Sequence, residues 1–181
     1  MRYCSACGEA VSKRIPAGDD RHRHVCNGCD TIHYQNPCII AGCLPVYEDR
    51  VLLCRRAIEP AYGYWTLPAG FMENGETTLE GAMRESREEA NIQLEGDALE
   101  LYTLIDIPHI NQVYIFFRGD MAQPEYSPGV ESLEVELFRE EDIPWSDIAF
   151  LSVKKTLKHF FADRRRGHFP VRTDSISRKP R

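Results

Sequence analysis

The apolar positions of this chain fall into two kinds of pattern. Dense apolar runs, PCIIAGCLPV at 37–46 and RVLLC at 50–54, flank the polar pair Glu48-Asp49. They predict two strands joined by a tight turn. A briefer run, YWTL at 64–67, predicts a strand that ends at Pro68 and gives way to the Gly-containing loop PAGFMENGET. Residues 99–107, 112–118 and 133–138 predict further strands. Thr77 to Asn91 reads as a helix, with Thr77 or Thr78 as N-cap, Glu80 in the first turn and Asn91 suited to the C-terminal end. Leu79, Ala82, Met83 and Ser86 form the face expected to meet a sheet. Ser152 to Arg165 predicts a second helix, with Val153, Leu157, Phe160 and Phe161 near helical spacing. Residues 171–181 look unpacked. This order predicts an α+β protein with a mixed-sheet sandwich, not a regular βαβ series.

Composition narrows the class. A chain of 181 residues has room for one ordinary domain and a small appendage, and 43% apolar with 28% charged residues is ordinary for a soluble globular protein. No apolar run reaches the roughly 20 residues a bilayer requires. The start, MRYCSACGEA, lacks the charged-then-apolar order of a signal peptide, so a cytoplasmic location is expected. Net charge is −6, yet Lys154 to Arg181 holds ten Lys/Arg against two Asp/Glu, which leaves −14 on the rest. An acidic main body argues against general nucleic-acid binding. The basic end reads as a solvated helix face followed by a flexible tail, with contact to an anionic partner as the alternative.

Four of the seven cysteines stand as Cys4-x2-Cys7-x18-Cys26-x2-Cys29. Each CxxC turn aims two thiolates at one point, and two turns complete the tetrahedron of a four-cysteine zinc site. With all four positions filled by protein, such a Zn²⁺ is structural. A segment this short and polar requires a metal, because binding supplies its folding free energy. A redox-active pair, or a ribbon that contacts a partner, are the alternatives. His22, His24 and His33 lie close enough in sequence to replace one ligand, and the complete cysteine set makes this unnecessary. Cys38, Cys43 and Cys54 sit in strand-like runs and read as core thiols.

The chemistry concentrates in GFMENGETTLEGAMRESREEANI at 70–92. Glu85, Glu88 and Glu89 fall at i, i+3 and i+4, on one helix face, where like charges repel. A hard divalent cation, Mg²⁺ or Mn²⁺, reverses that repulsion. Arg84 among them, and Glu76 at the helix entrance, could orient the carboxylates. Taken alone, three acids on a helix would read as a solvated face. The whole segment, however, resembles the signature of the Nudix family: Gly, five residues, Glu, seven residues, Arg-Glu, an apolar residue, any residue, Glu-Glu, any residue, Gly, then an apolar residue. Gly70, Glu76, Arg84, Glu85, Glu88, Glu89 and Ile92 stand at the matching places. Ser86 replaces an apolar residue, and Asn91 replaces the last Gly.

The resemblance implies an α/β/α sandwich with a mixed β-sheet, so that residues 1–34 form the zinc ribbon, 35–168 the Nudix domain and 169–181 a basic tail. It implies that Glu85, Glu88 and Glu89, with the Gly70 carbonyl, hold Mg²⁺ or Mn²⁺ against a diphosphate. Glu88 or Glu89, or Glu134 or Glu131 in ESLEVELF, are the candidate bases. A ribbon joined to such a domain is similar to the NADH pyrophosphatase group, but IPHINQVYIFF at 107–117 stands where that group carries a Ser-Gln-Pro-Trp-Pro-Phe-Pro type motif. The arrangement is closer to ribbon-bearing FAD/ADP-ribose pyrophosphatases of plant chloroplast type, which implies a small-molecule nucleotide substrate and a homodimer. Tyr62, Tyr64 and Phe150 are the candidate substrate contacts, and one of the tyrosines could stack on a purine or flavin ring. Two further readings stay open: a ligand-sensing module on the same fold, and an NADH, nucleotide-pool or RNA-cap hydrolase.

Overall fold

In the computed structural model, residues 1–177 are described and the chain divides after Pro37 into two units. The first carries β1 (Val11–Arg14), β2 (Arg23–Cys26) and β3 (Ile32–His33) in one antiparallel sheet of that order. Its buried apolar residues are Cys4, Val25 and Cys26.

The second unit continues with β4 (Cys38–Tyr47), β5 (Arg50–Arg56), β6 (Trp65–Thr66), β7 (Ala69–Phe71), α1 (Thr78–Ala90), β8 (Glu100–Ile107), β9 (Gln112–Asp120), β10 (Ser132–Phe138), α2 (Leu151–Arg164) and β11 (Arg172–Ser175). The sheet order is β10-β5-β4-β9-β8-β11. β4 with β9 and β8 with β11 are parallel, and the remaining pairs are antiparallel. The β4–β5 hairpin turns at Glu48, which takes φ 55°. The two strands pair at Val46–Val51 and Tyr47–Arg50 and then part, so that β7 lies along β4 and β6 along β5.

Period-two alternation explains why the β4 and β5 runs are continuously apolar. Ala41, Cys43, Leu52, Cys54 and Phe117 pack with Ala82 and Ala90 of α1, while Leu44, Val46, Val51, Leu53 and Phe116 pack with Val153, Leu157 and Phe160 of α2. Both faces are buried, as strands between two helical layers require. The α+β expectation holds.

The end of the chain differs from expectation. Residues 171–181 read as unpacked, yet Phe169 packs against the α2 cluster, β11 adds to β8 and Ile176 is buried. The cause is a contact with no local sequence signal. Asp163, fully buried at the end of α2, accepts from Tyr102 Oη at 2.9 Å and from Arg172 Nε at 3.0 Å, with a second Arg172 bond. The rest of the expected tail, Arg178 to Arg181, lies outside the described residues.

Candidate active site

Local chemistry sets α1. Thr77 accepts from the Glu80 amide at 3.2 Å and Glu80 accepts from the Thr77 amide at 2.7 Å, a complete capping box. Asn91 ends the helix in the left-handed region at φ 52°. Its amide donates to Ser127 O at 3.1 Å and to Pro128 O at 3.3 Å, which holds the 127–129 loop against the helix end. That loop must stay close: a Cβ on Gly129 would lie 1.7 Å from Glu88 O. Ser86, at the apolar place of the signature, is fully buried and donates to Ala82 O at 2.8 Å, so its hydroxyl is satisfied inside the helix.

Arg84 organises the acids. It grips Glu76 with two bonds, Nε to Oε2 at 3.0 Å and Nη2 to Oε1 at 2.8 Å, and reaches Glu85 at 2.7 Å, Glu88 at 3.0 Å and Phe71 O at 3.2 Å. The Arg84 guanidinium, aided by the Glu73 amide, holds the Glu76 carboxyl down at about 2. Gly70 lies against Glu85 so closely that a Cβ there would fall 2.3 Å from Oε1. Glu89 is buried and accepts from the Ala69 amide at 3.4 Å. Burial, then the Glu85 charge, pushes Glu89 up to about 8, and burial likewise raises Glu85. The charge of Glu131 bears on both.

Other sequence candidates are placed differently. Glu134 is paired with Arg55, Nη1 to Oε1 at 3.0 Å, past a bulge in β10 between Ser132 and Glu134. Tyr62 and Tyr64 are exposed on the loop after β5, which is tied back by Arg55 Nε to Gly63 O at 2.9 Å and Arg56 Nε to Pro60 O at 2.8 Å. Phe150 lies over Arg56, with the guanidinium carbon 5.1 Å from its ring centre.

Arg56 is the residue the sequence reading missed. It is only 8% exposed, and its charge opposes the upward displacement of Glu89. Among the described residues no carboxylate lies within ion-pair distance of it, and only its Nε has a hydrogen-bond partner. Four N–H donors on a nearly buried cation are left over. A signal existed: Leu52, Cys54 and Arg56 alternate, and the first two sit on the α1 face.

The donor sets fit two kinds of metal. In the first unit the sulfurs of Cys4, Cys7, Cys26 and Cys29 all lie within 4.8 Å of one another. Cys4–Cys29 is 3.8 Å, and Cys7 lies 3.4 Å from both Cys26 and Cys29. Four sulfurs at about 2.3 Å from one zinc stand roughly 3.8 Å apart, so the set is close to metal geometry. The helix acids do not converge in that way: Arg84 joins Glu85 and Glu88, while Glu89 turns to the Ala69 amide. All-oxygen donors in a looser arrangement suit a hard ion that keeps waters and takes substrate phosphate as further ligands.

Residues 2–35 match the family model described as Nudix N-terminal, a zinc ribbon, and residues 37–163 match the NUDIX domain. The chain belongs to the Nudix hydrolase family. A crystal structure of a Nudix hydrolase from Nitrosomonas europaea is 50% identical, covers 98% of this chain and 100% of its own, and superposes with a TM-score of 0.92. The ADP-ribose pyrophosphatase of Methanocaldococcus jannaschii is 30% identical over 113 residues, which is 61% of this chain and 67% of that protein. The NAD-capped RNA hydrolase NudC of Photobacterium profundum is 30% identical over 133 residues, 72% of this chain and 47% of that protein. This Nudix chain thus spans about half the length of the NudC relatives it matches.

Proposed function

We propose that this Nudix hydrolase splits the pyrophosphate bond of a nucleoside diphosphate linked to a second group, with ADP-ribose or FAD as substrate. Water adds across the P–O–P bridge, giving AMP and a second monophosphate. One observation carries the reading: Glu85 lies against the Gly70 backbone, Glu89 beside the Ala69 amide, and Glu89 feels the charge of a nearly buried Arg56 with unspent donors. A diphosphate requires both halves, cation ligands on one side and direct N–H donors on the other.

Mg²⁺ or Mn²⁺, when bound, supplies charge neutralisation and a water acidic enough to attack at neutral pH. In this reading Glu85, Glu88 and Glu89 with the Gly70 carbonyl hold the ions. Arg84 and Glu76 fix the carboxylates, and Arg56 binds a non-bridging phosphate oxygen. The general base is Glu88, Glu89 or Glu131; Glu134 is set aside because Arg55 engages it. Tyr62 and Tyr64, on their strapped loop, offer faces for an adenine or isoalloxazine ring.

The archaeal relative's name favours ADP-ribose, and the NudC relatives' name keeps NAD-capped RNA as the second reading, with NADH beside it as a free dinucleotide. A panel of ADP-ribose, FAD, NADH and NAD-capped RNA, with Mg²⁺ and with chelator, separates them. Metal-dependent AMP release from ADP-ribose or FAD is expected, with Glu89→Gln lowering kcat at least a hundredfold while the thermal transition persists. Turnover confined to NADH or capped RNA would overturn the substrate, and full activity of Glu89→Gln would overturn the site.

A further inference from the structure

The third ribbon strand has no evident packing task. It spans two residues, neither of them fully buried, and it follows the second cysteine knuckle directly. The side chains of Thr31, just before the strand, and of His33, within it, explain it. Thr31 and His33 are two residues apart and so project to the same side of an extended segment. Thr31 Oγ1 lies 3.0 Å from Cys29 Sγ, and His33 Nε2 lies 3.3 Å from Cys4 Sγ. Each knuckle therefore has one sulfur in contact with this segment. The contacts are additional to the backbone N–H groups of the knuckles, Ala6 to Cys4 at 3.4 Å and Gly28 to Cys26 at 3.3 Å.

We infer that Thr31 and His33 are outer-sphere donors to the ribbon's zinc thiolates, one for each CxxC knuckle. A metal-bound thiolate has no proton to give, so both contacts must run from the side chain to sulfur: Thr31 O–H to Cys29 and His33 Nε2–H to Cys4. Four thiolates around one Zn²⁺ carry two surplus negative charges, and each donated hydrogen bond draws charge off a sulfur and fixes its direction. His33 is then a positioning residue and not a fifth ligand, and strand pairing of His33 with His24 keeps it in register.

The test uses the full-length chain. Thr31→Val and His33→Phe keep shape and delete the donor; Thr31→Ser and His33→Gln restore one. Zinc affinity is read by competition with a chromophoric chelator, and the Co²⁺-substituted protein reports the sulfur-to-cobalt charge-transfer band. Loss of either donor should weaken zinc binding about tenfold and shift that band to lower energy, with Thr31→Ser and His33→Gln close to the parent. The two positions are independent, so a variant that fails to fold leaves the other decisive. Unchanged affinity and an unchanged band in the folded donor-less variants would overturn the inference. So would a Co²⁺ spectrum of three sulfurs and one nitrogen in the parent, which would make His33 a ligand.

Discussion

Residues 1–37 bury Cys4, Val25 and Cys26 and no other apolar side chain, whereas the catalytic unit buries separate clusters on the two faces of its sheet. The ribbon gathers its donors at tetrahedral spacing, while α1 leaves its acids apart and lets Arg84 stand between two of them. A metal that builds a fold needs a closed protein donor set; a metal that works on substrate needs open positions. Removing metal should therefore affect the two regions differently. Stripping the zinc should unfold the ribbon alone, since structural zinc contributes about 10–16 kcal/mol in small domains. Hydrogen exchange followed by mass spectrometry should show lost protection around Val25 and Cys26 and retained protection in α1 and α2. Protected ribbon amides after chelation would break the comparison.

The next largest effect lies in α1, where Glu89 should lower the stability of the metal-free protein as it ionises. Its carboxyl is pushed up to about 8, above its ordinary 4.5, so the folded state holds the proton more tightly than the unfolded one. Stability from this group is complete below the unfolded pKa and falls as pH rises from about 4.5 to 8. The upper limit is about 5 kcal/mol. Urea titrations of metal-free protein should show that decline, and Glu89→Gln or added Mg²⁺ should flatten it. A parent stability independent of pH across this window would show that Glu89 is solvated.

Arg172→Met sharpens the contrast from the packing side. It leaves Asp163 charged, fully buried and held only by Tyr102. Loss of one partner from a buried pair should cost about 3 kcal/mol, seen as a lower urea midpoint of the catalytic unit with zinc content unchanged. A midpoint equal to the parent's would mean that β11 contributes nothing.

That strand also marks where sequence reading stops. β4, β5, α1 and α2 were legible because their signals are local: apolar runs, a capping box, and an Asn at a left-handed helix end. RTDS has no apolar alternation, and its strand character comes from β8 and from α2, where Asp163 binds Arg172 and Lys155 binds Asp174. Similarly, β7 is three residues whose pairing with β4 depends on Gly42: a Cβ there would lie 2.3 Å from Ala69 Cβ. The signature residues were legible as a set, and the structure brings Glu76, Arg84, Glu85 and Glu88 together. Glu131 and Glu134 were not separable, because a bulge shifts the register between them and no sequence pattern marks it. Arg56 required knowing which face of β5 lies under α1.

The smallest expected effect concerns Asn91, which stands where the Nudix signature has Gly. Glycine would relieve a left-handed conformation that costs other residues about 1 kcal/mol. It would also delete the two amide bonds to Ser127 and Pro128, each worth roughly 0.5–1.5 kcal/mol when made to a protein partner. These terms oppose each other, and the bonds outnumber the strain. Asn91→Gly should be less stable by up to about 2 kcal/mol, and Asn91→Ala, which keeps the strain and loses the bonds, lower still. The order Asn, Gly, Ala in urea midpoints would show that the side chain replaces what glycine offers elsewhere in the family with a tether on the 127–129 loop. If Asn91→Gly were the more stable protein, the tether would contribute nothing, and the loop leading to Glu131 would be held to the helix end by backbone bonds, the Ser127 amide on Ala90 O and the Gly129 amide on Glu89 O.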